Sequence, residues 1–265
     1  MEDARRNDGE QARLWNGPGA RGWVEAQTLL DRMFMPFEDL LVDAVRAEAA
    51  RRVLDVGCGT GGTTPAVARA LGAGGRCTGI DVSEPMIAAA RARAARERTP
   101  ADFIRADAQS HPFAPGAFDM VISRFGVMFF DDPVRAFANL RRAATGGAAL
   151  RCVVWRGAAD NPFMTAAERA AAPLMPDLPA RRPDEPGQFA FADRRRVRAI
   201  LEASGWAAID IRPVDVECRL PETDLVRYLT WLGPVGRALQ EADDLTRARV
   251  VAAVRPAFDA YVHGA

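Results

Sequence analysis

The chain has 265 residues, 49% of them hydrophobic, and its 35 basic side chains balance its 35 acidic ones. That is enough chain for one large α/β domain with additions, and a balanced charge with a pI of about 6.8 offers no net field to a polyanion, which argues against a nucleic-acid partner. Every basic residue is Arg; the absence of Lys excludes a Walker A lysine, a Schiff base and a Tyr-x-x-x-Lys pair.

In chain order, residues 1 to about 20 end in the Gly/Pro-rich "NGPGARG" and read as a loose arm. Apolar residues then recur at helical spacing from Arg21 to Ala50, with Pro36 predicted to split the stretch into two helices. An alternation follows. Strand-like runs at 52–56, 76–80, 102–105, 117–122 and 148–155 are separated by helix-like segments at 62–71, 84–98 and 133–143. This pattern predicts an α/β fold with a doubly wound, mostly parallel sheet carrying helices on both faces. The Pro-rich stretch 157–192 reads as an insertion of the kind that forms lids, with a short helix near Thr165–Ala172. A helix at 193–204 ends at Gly205, the strand-like "AAIDIRPVDVECRL" follows, and helical segments at 222–240 and 243–261 close the chain. The expected organisation is an N-terminal arm with lid helices (1–50), a ligand-binding core (51–156), the insertion (157–192), the last helix and strand of the core (193–220) and C-terminal helices (221–265).

The chemistry centres on "RRVLDVGCGTGG", residues 51–62, where Gly57, Gly59 and Gly62 fit G-x-G-x-x-G, a strand turning into a helix beneath a nucleotide. The neighbours of the glycines decide what lies there. Asp55 stands two residues before Gly57 and confronts whatever the loop holds. Against a pyrophosphate, like charges about 4 Å apart at an effective dielectric near 20 cost on the order of 4 kcal/mol, whereas an ammonium group would be attracted. Asp81, at the end of the second strand, is placed to accept the hydroxyls of a ribose, and Asp107 follows the third strand, where it could accept from the amine of adenine. The three strand ends together offer places for an ammonium group, a ribose and an adenine.

These residues resemble the class I S-adenosylmethionine-dependent methyltransferases, especially the small-molecule branch containing ubiquinone and menaquinone C-methyltransferases. The resemblance rests on "VLDVGCGTGG", "GIDVSEPMI", "FIRADAQSHPF" and "FDMVISRFGVMFFDDPVRAFANLRRAATGGAAL", in order, and more weakly on 187–218. It implies a Rossmann-like core with N-terminal and C-terminal helical additions, and S-adenosylmethionine as cofactor. Residue by residue, it implies that Asp55, Gly57, Cys58 and Gly59 hold the methionine end and Asp81 the ribose. Val82 and Met86 would flank the adenine, Asp107 and Ala108 would meet its edge, and Ser123 and Arg124 would lie by the sulfonium. The family's closing antiparallel strand has no evident counterpart after Val262.

Outside these blocks, Arg124 is either a clamp for an acceptor's carboxylate or an ordinary surface or cap Arg. His111, one of two histidines, is the candidate base, against a bland reading as a rim residue. Trp23 either caps the cofactor or packs on the sheet. Aromatic bulk at 33–37, 127–130, 161–164 and 228–232 is core or the wall of an apolar acceptor pocket. Cys58, Cys77, Cys152 and Cys218 are far apart with no C-x-x-C pair, and no ligand spacing for a metal is visible. With a polar N-terminus and no run of about 18 apolar residues, the expectation is a cytoplasmic protein with reduced thiols and no membrane partner.

The expected function is methyl transfer from S-adenosylmethionine to a small apolar or aromatic molecule by in-line displacement, with a homodimer as one possible state. The rival readings are a nicotinamide-dependent oxidoreductase on the same loop, disfavoured by Asp55 and the missing Tyr/Lys pair, and a catalytically silent cofactor-binding partner.

Overall fold

A computed structural model describes residues 10–182 and 185–263. Five parallel strands form its sheet: β1 (Arg52–Val56), β2 (Arg76–Asp81), β3 (Ala101–Arg105), β4 (Phe118–Arg124) and β5 (Ala144–Val153), in the order β3-β2-β1-β4-β5. The chain reverses its winding between β1 and β4, so a crevice opens beyond the carboxyl ends of those strands, where open α/β sheets bind ligands.

Alternation along each strand sends side chains to two cores. Leu54, Val56, Ile80 and Val121 join Phe137, Leu140 and Trp206 on one face, and Val53, Cys77, Met120 and Ile122 join Leu41, Val45 and Val67 on the other. The crossover helices are α4 (Thr63–Leu71), α5 (Glu84–Glu97) and α6 (Pro133–Ala143). Two of them start on side-chain caps followed by proline: Ser83 accepts from the Met86 N–H at 3.3 Å and Asp132 from the Arg135 N–H at 2.9 Å.

The N-terminal region departs from expectation twice. Part of the supposed loose arm is helical, as α1 (Glu10–Trp15) and α2 (Pro18–Glu25), while residues 1–9 lie outside the described residues. Pro36 also does not divide the following stretch: α3 runs unbroken over Gln27–Ala47 and the break falls at Ala26. An internal proline costs a helix about 3 kcal/mol. Here Leu29, Leu30, Met33 and Phe34 before it and Phe37, Leu41, Val42 and Val45 after it share one buried face. At about 1.5–3 kcal/mol per buried side chain, that packing outweighs the break.

Beyond β5 come α7 (Pro162–Ala171), α8 (Arg194–Ala203), α9 (Leu225–Trp231), α10 (Gly233–Leu239) and α11 (Asp244–Val254). The strand expected after Gly205 is not there. Residues 207–220 run without a ladder partner among the described residues, although Ile211, Val216, Cys218 and Leu220 pack on the core. Alternating apolar residues specify a half-buried extended segment, and Pro213, lacking an N–H, interrupts any ladder there. α7, α9, α10 and α11 with the final 3₁₀ turn build a separate apolar cluster around Leu229, Val235, Leu239, Val254 and Phe258. These helices form a helical cap beyond the sheet.

Candidate functional site

The glycine loop exists because backbone must pass close to backbone. Gly57 has φ +67°, and a Cβ there would lie 2.6 Å from the Cα of Gly126. Gly61, at φ +73°, would place a Cβ 2.8 Å from that of Ala90 on α5. The N–H groups of Gly57 and Cys58 both donate to the Ile80 carbonyl, at 2.9 and 3.1 Å, and the Gly59 N–H donates to Asp81 Oδ2 at 2.9 Å. Asp81 also accepts from the Ser83 N–H at 2.9 Å, so one carboxylate ties the loop to the start of α5.

Around this loop lies a cavity whose wall contains Asp55, Gly57, Cys58, Gly59, Asp81, Val82, Met86, Asp107, Ala108, Arg124 and Trp23. The structure thus brings these expected residues together, and leaves two out. Ser123 is fully buried away from the cavity. Its hydroxyl donates to the Val56 carbonyl at 2.7 Å and accepts from the N–H groups of Gly126 and Val127, which corrects the expectation that it faces the ligand. Ser123 fastens β1 to the turn after β4. Removing three hydrogen bonds at a buried hydroxyl predicts that Ser123→Ala loses about 1–3 kcal/mol of stability in urea titration. His111 also lies outside this wall, and its ring packs edge-on against Phe113 at 4.6 Å.

Four carboxylates (Asp55, Asp81, Asp107 and Asp131) and one guanidinium (Arg124) line the cavity among the described residues. Burial raises the Asp55 carboxyl to about 6, against the hydroxyl of Thr64, which donates to it at 2.7 Å, and against Arg124, while Asp81 raises it further. Arg124 donates to the Phe34 carbonyl at 3.4 Å. Burial lowers its pKa, opposed by Glu38, Asp55 and Asp31. The carboxylate at the first turn therefore has a cation beside it, which the sequence did not reveal. The wall as a whole still carries an excess of negative charge, which suits a cationic ligand and disfavours a pyrophosphate. An adenosyl ligand with an ammonium tail fits this donor set, with one carboxylate at each strand end and the glycine turns leaving room for close approach.

Residues from the arm and from the turn after β4 complete the wall: Gln11, Ala12, Trp15, Phe125, Phe129 and Phe130. Gln27 on α3 donates to the Thr60 carbonyl at 3.0 Å, and the Asn16 side chain accepts from the Glu84 N–H at 2.9 Å, so the N-terminal helices are fastened over the loop. Phe125 holds φ +68°, unusual outside glycine, and stacks on Trp155 at 4.3 Å. Trp15, Trp23, Phe125 and Phe129 also face a second cavity of about 530 Å³, bounded beyond them by Phe34, Trp155, Phe163, Tyr228 and the helical cap. The "VMFF" run was a sequence signal for Phe129; nothing in the sequence marked Trp15 or Phe125.

Comparison with known proteins agrees with this geometry. Residues 53–147 match the family described as "Methyltransferase domain". A demethylmenaquinone methyltransferase of Renibacterium salmoninarum is 29% identical over 181 residues, 65% of this chain and 73% of that protein. One from Thermus thermophilus is 35% identical over 109 residues, covering 41% and 49%; other relatives are matched over about half of their length. The crystal structure of YcgJ from Bacillus subtilis superposes with a TM-score of 0.54 at 21% identity, covering 80% of this chain and 86% of that one, a likeness of fold. With the cavity, the glycine turns and the match together, residues 53–147 form a methyltransferase domain with S-adenosylmethionine as its cofactor, and the chain is similar to the demethylmenaquinone methyltransferases.

Proposed function

We propose that this methyltransferase acts on a small apolar or aromatic acceptor by in-line displacement, with the acceptor in the second cavity. The observation that carries this reading is the shared wall: Trp15, Trp23, Phe125 and Phe129 separate a polar, acid-lined cavity from a larger aromatic one. A volume of about 530 Å³ is within the range of small-molecule sites. In this reading Asp55, Gly57, Cys58 and Gly59 take the methionine end, Asp81 the ribose, Val82 and Met86 the faces of the adenine, and Asp107 and Ala108 its edge. Arg124 stands beside Asp55 and sets the charge at the methionine end.

When bound, S-adenosylmethionine supplies a methyl carbon on a cationic sulfur. The chain's own residues align an acceptor and keep water away. No histidine lines either cavity among the described residues. Tyr228, in the second cavity, is pushed by burial well above its usual pKa and is no base at neutral pH. The acceptor therefore arrives as a competent nucleophile, through an amine, a thiol or an activated carbon.

The test is calorimetry followed by turnover. S-adenosylmethionine and its demethylated product should bind and reduced nicotinamide should not; the opposite order would install the oxidoreductase reading. Protein supplied with methyl-labelled S-adenosylmethionine and a metabolite extract should then give a labelled product, identified by mass spectrometry. Binding with persistent silence across extracts would instead favour a non-catalytic cofactor-binding role.

A further inference from the structure

The second cavity holds more charge than an apolar acceptor requires. Among its described lining residues are Glu168, Glu185, Arg181, Arg182 and Arg237, three cations against two anions. Arg182 and Glu185 pair with each other at 2.6 Å at an exposed position. Deeper, Arg181 gives both sides of its fork to Glu168, Nε to Oε2 at 2.8 Å and Nη2 to Oε1 at 2.5 Å, and lies 4.9 Å over the ring of Phe189. Each carboxylate is thus matched. Arg237 on α10 makes no side-chain hydrogen bond or ion pair with any described residue. It is half-buried, it feels Arg181 and Glu168, and burial with the Arg181 charge lowers its pKa. Tyr228, on the same helical cap, has a hydroxyl with no partner among the described residues. An unmatched guanidinium in an aromatic chamber is costly unless something negative meets it, and a planar fork suits a carboxylate.

Resting on the reading of this cavity as the acceptor site, we infer that the methyl acceptor is a small aromatic monoacid whose carboxylate is held by Arg237, with the Tyr228 hydroxyl as a second donor. The aromatic body then lies toward Trp23, Phe34 and Phe125, and the acid end toward the helical cap. One net positive charge selects a monoanion over a neutral quinol or a dianion.

The experiment measures binding to full-length protein saturated with S-adenosylhomocysteine, using Trp fluorescence, since Trp15, Trp23 and Trp155 line the chamber. The probes are matched pairs: 4-aminobenzoate with 4-aminobenzamide, indole-3-acetate with indole-3-acetamide, and phenyl phosphate as a dianion. At least one acid should bind about tenfold or more tighter than its amide, as expected for a charge-assisted contact. Arg237→Gln should erase that difference, and Arg237→Lys should restore part of it. S-adenosylhomocysteine affinity reports that each variant is folded; if Arg237→Gln fails this check, Arg237→Met takes its place. Equal binding of acid and amide, no acid binding to the loaded wild type, preference for phenyl phosphate, or an acid preference that survives loss of Arg237 would each overturn the inference. Absence of S-adenosylhomocysteine binding altogether would sink the reading of the site itself and is seen before any acid is added.

Discussion

Asp55→Asn is expected to make the ligand-free protein more stable at pH 8 and, at the same time, a weaker binder of S-adenosylmethionine. The Asp55 carboxyl is 1% exposed and titrates at about 6, chiefly through burial. Unfolded, it titrates near the ordinary value of about 3.9. For an acid raised in the folded state the sign is opposite to that of a salt-bridged one. Between about pH 4 and 6 the folded chain holds the proton that the unfolded chain has released, so stability falls as pH rises through that window and stays low above it. Converted at 1.36 kcal/mol per pH unit, the shift amounts to about 3 kcal/mol held against folding at pH 8. Asparagine keeps the acceptor for the Thr64 hydroxyl and removes the charge, so urea titration should show a gain of about 1–3 kcal/mol at pH 8 that vanishes below pH 4. The ligand's ammonium group favours the ionised carboxylate, so calorimetry should show wild-type affinity weakening as pH drops below 6, with the variant's affinity low and flat across that range. A variant no more stable than wild type at pH 8 would mean that Arg124 neutralises the carboxylate more fully than burial penalises it.

The same residue marks how far the sequence could be read. Position in a motif placed Asp55, Asp81 and Asp107 at three strand ends, because a parallel sheet's register fixes where strand ends lie, and the apolar runs made β1, β2, β3 and β4 plain. What faces each acid was not legible. Arg124 reaches the cavity from β4 and Glu38 reaches Arg124 from α3, contacts between segments far apart in the chain. Ser123 was misplaced, and the two readings of His111 could not be separated, for a related reason: adjacency to a motif says which turn a residue occupies, and the pleat or the turn decides which way it faces. The aromatic chamber was the least legible part. Its wall joins Trp15 from the arm, Phe125 after β4 and Tyr228 from α9, and composition alone could not separate such residues from ordinary core.

Replacing Gly57 by alanine should unfold or nearly unfold the chain, and a second glycine shows why. Gly57 (φ +67°) and Gly205 (φ +83°, the left-handed residue that ends α8) both hold positive φ, so an alanine at either site meets left-handed strain of about 1–2 kcal/mol. At Gly205 a Cβ would meet only the flexible Arg141 side chain, at 3.9 Å, an ordinary contact, and that strain is the whole cost. At Gly57 the Cβ would lie 2.6 Å from the Gly126 Cα, which is backbone and cannot rotate away. The approach is as tight from the other partner: a Cβ on Gly126 would lie 2.6 Å from the Val56 carbonyl oxygen and 2.7 Å from the Gly57 Cα, and the Gly126 N–H is held by the Ser123 hydroxyl. Overpacking of this kind adds about 1–3 kcal/mol or more, so Gly57→Ala should cost about 2–5 kcal/mol in urea titration and Gly205→Ala about 1–2. A domain's whole stability is about 5–15 kcal/mol, so the first loss threatens folding and the second does not. Any folded fraction of Gly57→Ala should also have lost S-adenosylmethionine binding, since the loop can accommodate the methyl only by moving the backbone that lines the cavity. Equal losses at the two positions would show that backbone strain alone, and not the back-to-back approach of Gly57 and Gly126, explains the glycine at the first turn.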